Sequence, residues 1–111
     1  PVSWFRPGAG FYDTRMRELA RDRGYRIAMA SVMPIDTLLA DAERMAGFID
    51  WSVKPGSIVV LHDKGARGQR TAQTLRILLP RLQARGYRIM SLSRLETWIG
   101  SLLAAQSACL R

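Results

Sequence analysis

The sequence predicts an α/β fold in which parallel βα repeats build one sheet. Three observations carry that expectation. Short apolar, β-branched runs bounded by turn residues alternate with segments whose apolar residues recur at helical spacing. The pentapeptide Arg23-Gly24-Tyr25-Arg26-Ile27 recurs as Arg85-Gly86-Tyr87-Arg88-Ile89, both times where a helical pattern gives way to an extended one. The run Ile58 to Leu61, opened by Pro55-Gly56, is continuously apolar, the signature of a strand buried on both faces. Four such units with short loops and right-handed crossovers amount to half a barrel or a small open sheet.

The elements follow in order. Val2 to Phe5 reads as a strand end, and Arg6-Pro7-Gly8-Ala9-Gly10 as a tight loop. Asp13 is placed to cap a first helix with Met16, Leu19 and Ala20 on one face, and Gly24 to close it. Tyr25 to Val32 is the next strand, broken by Pro34. Asp36 or Thr37 can cap a second helix running to about Asp50, with Leu38, Leu39, Ala42, Met45, Ala46 and Ile49 as its apolar stripe. After the central strand, residues 69–85 are helical in pattern, and Pro80 should kink or restart that helix. Tyr87 to Ser93 is the last strand expected, and Arg94 to about Ala108 the last amphipathic helix. The corresponding division is residues 1–95 as the βα portion and 96–111 as a C-terminal helix.

Bulk properties narrow the class. With 111 residues and 48% apolar content the chain is one globular domain or part of one. No apolar run reaches the ~20 residues of a membrane span. The net charge of +8 rests on fifteen Arg and two Lys (Lys54 and Lys64) scattered along the helices. Scatter of that kind does not favour nucleic acid and is equally compatible with an anionic cell-wall polymer. One cysteine, Cys109, and one histidine, His62, leave no disulfide within the chain and no three-ligand zinc site. No nucleophile elbow, P-loop or dinucleotide fingerprint is present. Because the sequence opens on Pro1, we expect the natural start to lie upstream.

The candidate chemistry lies in three loops that follow strand ends: Arg6 to Gly10, Met33 to Asp36, and His62-Asp63. In parallel sheets groups at the carboxyl ends of strands gather at one mouth. A carboxylate beside an imidazole orients it and suits it to general-acid work. An arginine can hold a further carboxylate. On position alone, structural roles stay open for all three: a hydrogen-bonded His62, a loop-bracing Arg6, an Asp36 that only caps a helix.

The residues Trp4-Phe5-Arg6-Pro7-Gly8-Ala9-Gly10, Ser31-Val32-Met33-Pro34-Ile35-Asp36 and Gly56-Ser57-Ile58-Val59-Val60-Leu61-His62-Asp63 resemble the last three motifs of the polysaccharide deacetylases of carbohydrate esterase family four. Residues 85–93 resemble the closing strand of the same domain. The resemblance implies the C-terminal half of a distorted (β/α) barrel that removes acetyl groups from N-acetylated glycans. It implies His62 as general acid, Asp36 as the group that tunes it and Arg6 as the residue that orients the catalytic base. Leu61, the Ala9 backbone N–H and Gly10 would lie on the substrate side, with the Ala9 N–H helping to stabilise the oxyanion. A divalent, zinc-like metal would be bound only with the N-terminal half, whose metal motifs this chain lacks. The implied partners are an N-acetylated glycan and either a cleaved N-terminal half or a second copy of the chain; a bacterial cell envelope or secreted location fits the resemblance. Two positions depart from the family pattern: Thr37 stands where the family has Trp, and Gly8-Ala9 where it has Pro-Tyr. Those departures keep a second reading in play, a non-catalytic binding or assembly module on a degraded deacetylase scaffold.

Overall fold

The computed structural model describes residues 2–35 and 41–109, with side chains as far as 103. The elements run β1 (Trp4–Phe5), a 3-10 turn (Gly8–Gly10), α1 (Thr14–Asp22), β2 (Arg26–Ile27), α2 (Ala42–Ser52), α3 (Gly65–Ala84) and α4 (Leu92–Cys109). They fall into two compact units, one of residues 1–28 with 89–111 and one of residues 29–88.

In the first unit β1 and β2 pair in parallel, Trp4 opposite Arg26 and Phe5 opposite Ile27. The connection between them is α1, the crossover that a parallel pair requires. Asp13 caps α1 as expected, its carboxylate accepting from the Met16 N–H at 2.7 Å. Gly24, at φ 75°, lets the chain leave the helix in a left-handed turn. The Gly24 N–H then bonds to the Arg21 carbonyl and the Tyr25 N–H to the Ala20 carbonyl, the paired bonds of a Schellman motif. Arg26 lies over the Trp4 ring, 4.2 Å from its centroid, and pairs with Glu96 of α4. The Trp4 indole N–H donates to Ser93 Oγ at 3.2 Å. Little is enclosed here: among the described residues of this unit Pro7, Ala20 and Ala28 are buried, and Phe5, Met16, Leu19, Ala20, Arg23 and Tyr25 line a shallow apolar hollow.

The second unit holds the denser core. α2 contributes Met45, Ala46 and Ile49, with Val53 just beyond its end; α3 contributes Leu78 and Leu82; Val32 adds a side chain from the extended segment. The three- and four-residue spacings put these side chains on one stripe of each helix. α2 starts from Asp41, whose carboxylate accepts from the Glu43 N–H at 2.8 Å. The caps expected at Asp36 or Thr37, and Leu38 and Leu39 of the apolar stripe, lie outside the described residues. Ion pairs Arg81–Glu43 and Arg85–Asp50 flank the packed face of α2 and α3.

Four local expectations are corrected. α3 runs unbroken through Pro80. The bond that proline cannot donate would have gone to the Arg76 carbonyl; both residues are exposed, on the solvent side of the helix, while the buried Leu78 and Leu82 hold it from the other side. The long strand expected over Tyr25 to Val32 is ladder-paired only at Arg26–Ile27, with Val32 making an isolated parallel bridge to Val59. The central run Ile58 to Leu61 is likewise extended but joined to its neighbour only by that bridge and by bonds such as Val60 N–H to Val32 O at 3.0 Å. Residues 87–91, in the last strand expected, join no ladder among the described residues. Extended backbone becomes a strand only when a neighbour accepts its bonds, and sequence pattern does not supply the neighbour.

Candidate functional site

The loop after β1 belongs to the first unit. Pro7 is buried and anchors it; Arg6 is exposed. Gly8, Ala9 and Gly10 make one 3-10 turn closed by the Gly10 N–H on the Pro7 carbonyl at 3.3 Å. Within the turn Ala9 has φ 56° and ψ 5°, and Gly10 follows at φ 74°. A non-glycine residue at positive φ carries local strain, and such strain gathers at functional backbone. Here two successive left-handed residues, Ala9 and Gly10, turn the backbone sharply.

The other two loops belong to the second unit. Pro34 is buried, and Met33 and Ile35 beside it are exposed. Asp36 lies outside the described residues, so the Asp36–His62 pairing has no geometry in this structure. Leu61 is half-buried against the core of α2 and α3. His62 follows with an exposed side chain, and its carbonyl accepts from Thr71 Oγ1 of α3 at 2.7 Å. The next carbonyl, that of Asp63, packs onto the first turn of α3 at Gly68. The structure thus ties Leu61, His62 and Asp63 to α3, and shapes Arg6 to Gly10 as one turn in the other unit.

Thr71 and Gly68 were not singled out by sequence reasoning. The expected helix begins at residue 69, which leaves Gly68 in the preceding loop; α3 instead starts at Gly65, and a glycine that falls inside a helix marks close backbone approach or a packing need.

A divalent metal does not fit the described residues. No group of three or more His, Cys, Asp or Glu among them could hold one, and His62 and Cys109 are the sole residues of their types in the chain. Among the described residues no helix is long and apolar enough to cross a membrane.

No protein-family model matches the sequence. Individual relatives do. The chain is 31% identical over 93 residues to a peptidoglycan-N-acetylglucosamine deacetylase of Bacillus cereus, covering 82% of this chain and 44% of the relative. It is 32% identical over 103 residues to a chitooligosaccharide deacetylase of Azorhizobium caulinodans, covering 82% of this chain and 49% of the relative. Among solved structures, the peptidoglycan deacetylase PdaC from Bacillus subtilis, in a mutant form, superposes with a TM-score of 0.84 at 18% identity, over 97% of this chain and 50% of that one. A CE4-family pseudoenzyme from Bacillus anthracis superposes with a TM-score of 0.74 at 23% identity, over 85% of this chain and 32% of that one. The chain spans about half the length of the curated relatives it matches. By sequence and by fold it is a partial match to the polysaccharide deacetylases of carbohydrate esterase family four.

Proposed function

We propose that this chain is the C-terminal portion of a metal-dependent polysaccharide deacetylase, residues 1–95 completing a distorted (β/α) barrel with upstream strands and 96–111 forming its closing helix. The observation that carries the reading is the identity of 31% and 32% to two deacetylases over 82% of the chain. The substrate would be an N-acetylated glycan. His62 would give a proton to the amine as the amide C–N bond breaks, and Asp36 would tune it. The Ala9 N–H would donate to the oxyanion, for which the left-handed turn at Ala9 and Gly10 is a supporting feature. Arg6 would orient the base, Leu61 and Gly10 would border the acetyl group, and the metal would come with residues this chain does not contain. With half the barrel absent, the sheet edges would be covered by the N-terminal half, whether cleaved or continuous, or by a second copy.

The test is to assay the product of the complete reading frame on N-acetylglucosamine oligomers and peptidoglycan with added divalent metal. His62→Ala should lower kcat roughly 10²- to 10⁴-fold. Full activity in that variant would remove His62 from the mechanism.

A second reading has its own support. A CE4 pseudoenzyme lies among the structural neighbours, and a mutant of it has restored enzymatic activity. The missing Trp at Thr37 and Tyr at Ala9 point the same way. Under that reading the full-length protein binds the glycan without hydrolysing it, so retention on peptidoglycan with no acetate released separates the two.

A further inference from the structure

We infer that Gly68 and Thr71, on the first two turns of α3, are the positioning residues of the His62 loop. The inference deepens the proposed function and rests on its reading of His62 as the proton donor.

Three consecutive residues are held in three different ways. The Leu61 side chain packs against the core of α2 and α3. The His62 carbonyl accepts from Thr71 Oγ1 at 2.7 Å. The Asp63 carbonyl rests so close to the Gly68 Cα that a methyl group there would overlap both its oxygen and its carbon. Those are backbone atoms and cannot swing aside as a flexible side chain would. Gly68 is itself within the α3 ladder, its N–H bonded to the Lys64 carbonyl at 3.0 Å. It has no left-handed conformation to explain a glycine, so the space it leaves for Asp63 is the reason for one. Preceding the loop, Val59 is bridged to Val32. The His62 imidazole is therefore exposed while its backbone is clamped between a bridged strand and a helix. A proton donor needs a side chain that reaches solvent from a fixed backbone, since displacement by about 1 Å costs as much as 10²-fold in rate.

The loop can be followed without any assay, because His62 is the one histidine of the chain. The imidazole carbon–proton correlation of the 111-residue chain is recorded for wild type, Thr71→Val, Thr71→Ser and Gly68→Ala. Amide spectra of α2 and α3 report whether each variant is folded. Thr71→Val and Gly68→Ala should displace and broaden the imidazole signal, and Thr71→Ser, which keeps the donor, should restore it. In the protein carrying the activity, Thr71→Val should lower kcat roughly 10- to 100-fold with KM unchanged, and Thr71→Ser should recover it. A folded Thr71→Val variant with the wild-type imidazole signal and wild-type kcat overturns the inference. If Gly68→Ala does not fold, the Thr71 pair decides alone. A fully active His62→Ala enzyme overturns the proton-donor reading instead, and the imidazole signal then judges the positioning separately.

Discussion

The repeated pentapeptide lets the chain be compared with itself. After α1, Arg23-Gly24-Tyr25-Arg26-Ile27 ends the helix with Gly24 at φ 75° and the bond pair Gly24 to Arg21 and Tyr25 to Ala20. After α3, Arg85-Gly86-Tyr87-Arg88-Ile89 does the same with Gly86 at φ 80° and the pair Gly86 to Gln83 and Tyr87 to Leu82. One residue later the copies part. Arg26 and Ile27 pair with β1, whereas Arg88 and Ile89 enter no ladder among the described residues and Ile89 is 69% exposed. Helix ends close on carbonyls three to five residues back, so five residues are enough to specify them. A strand closes on a neighbour elsewhere in the chain, and the second copy has none among the described residues.

The largest effect should come from what each copy packs against. Leu82 is the buried residue whose carbonyl takes the Tyr87 N–H; its counterpart in the first copy is Ala20. Leu82→Ala should cost about 2–5 kcal/mol in urea unfolding of the second unit, because it opens a cavity against the α2 core. Ala20→Gly should cost only about 1 kcal/mol, from helix propensity. Equal losses would mean the two units are packed alike, against the burial seen here.

The glycines sharpen the local half of the comparison. Gly24→Ala and Gly86→Ala should each destabilise by about 1–2 kcal/mol, the cost of a side chain in the left-handed region. Equal values support a locally determined cap; a difference well beyond 1 kcal/mol would assign the turn to its surroundings.

Hydrogen exchange tests the other half. The Arg26 and Ala28 amides, bonded at 2.9 Å to Ser3 and Phe5 carbonyls, should be protected, and those of Arg88 and Ile89 should exchange rapidly. In the product of the complete reading frame, protection at 88–89 should appear if upstream or neighbouring strands complete the sheet. Rapid exchange there in the longer protein would argue against a closed barrel.

The charged partners should matter least. Arg26–Glu96 and Arg85–Asp50 are both partly exposed pairs, so Arg26→Gln or Arg85→Gln should cost about 0–1 kcal/mol each. Raising the salt concentration should shrink both losses further.

What the sequence determined by itself was local or periodic: the Asp13 cap, the glycine exits at Gly24 and Gly86, the apolar stripe of Met45, Ala46 and Ile49, and the motifs that resemble the deacetylases. Each is settled by groups a few residues apart or by repetition along one helix. The tertiary structure decided what depends on distant neighbours. It carried α3 through Pro80, reduced the expected strand at Val32 and Val59 to a single bridge, and left residues 87–91 without a ladder. It also set the backbone of Asp63 against Gly68 and the His62 carbonyl against Thr71. No periodicity encodes those last contacts, because each joins a loop to a helix face whose position depends on how α3 packs.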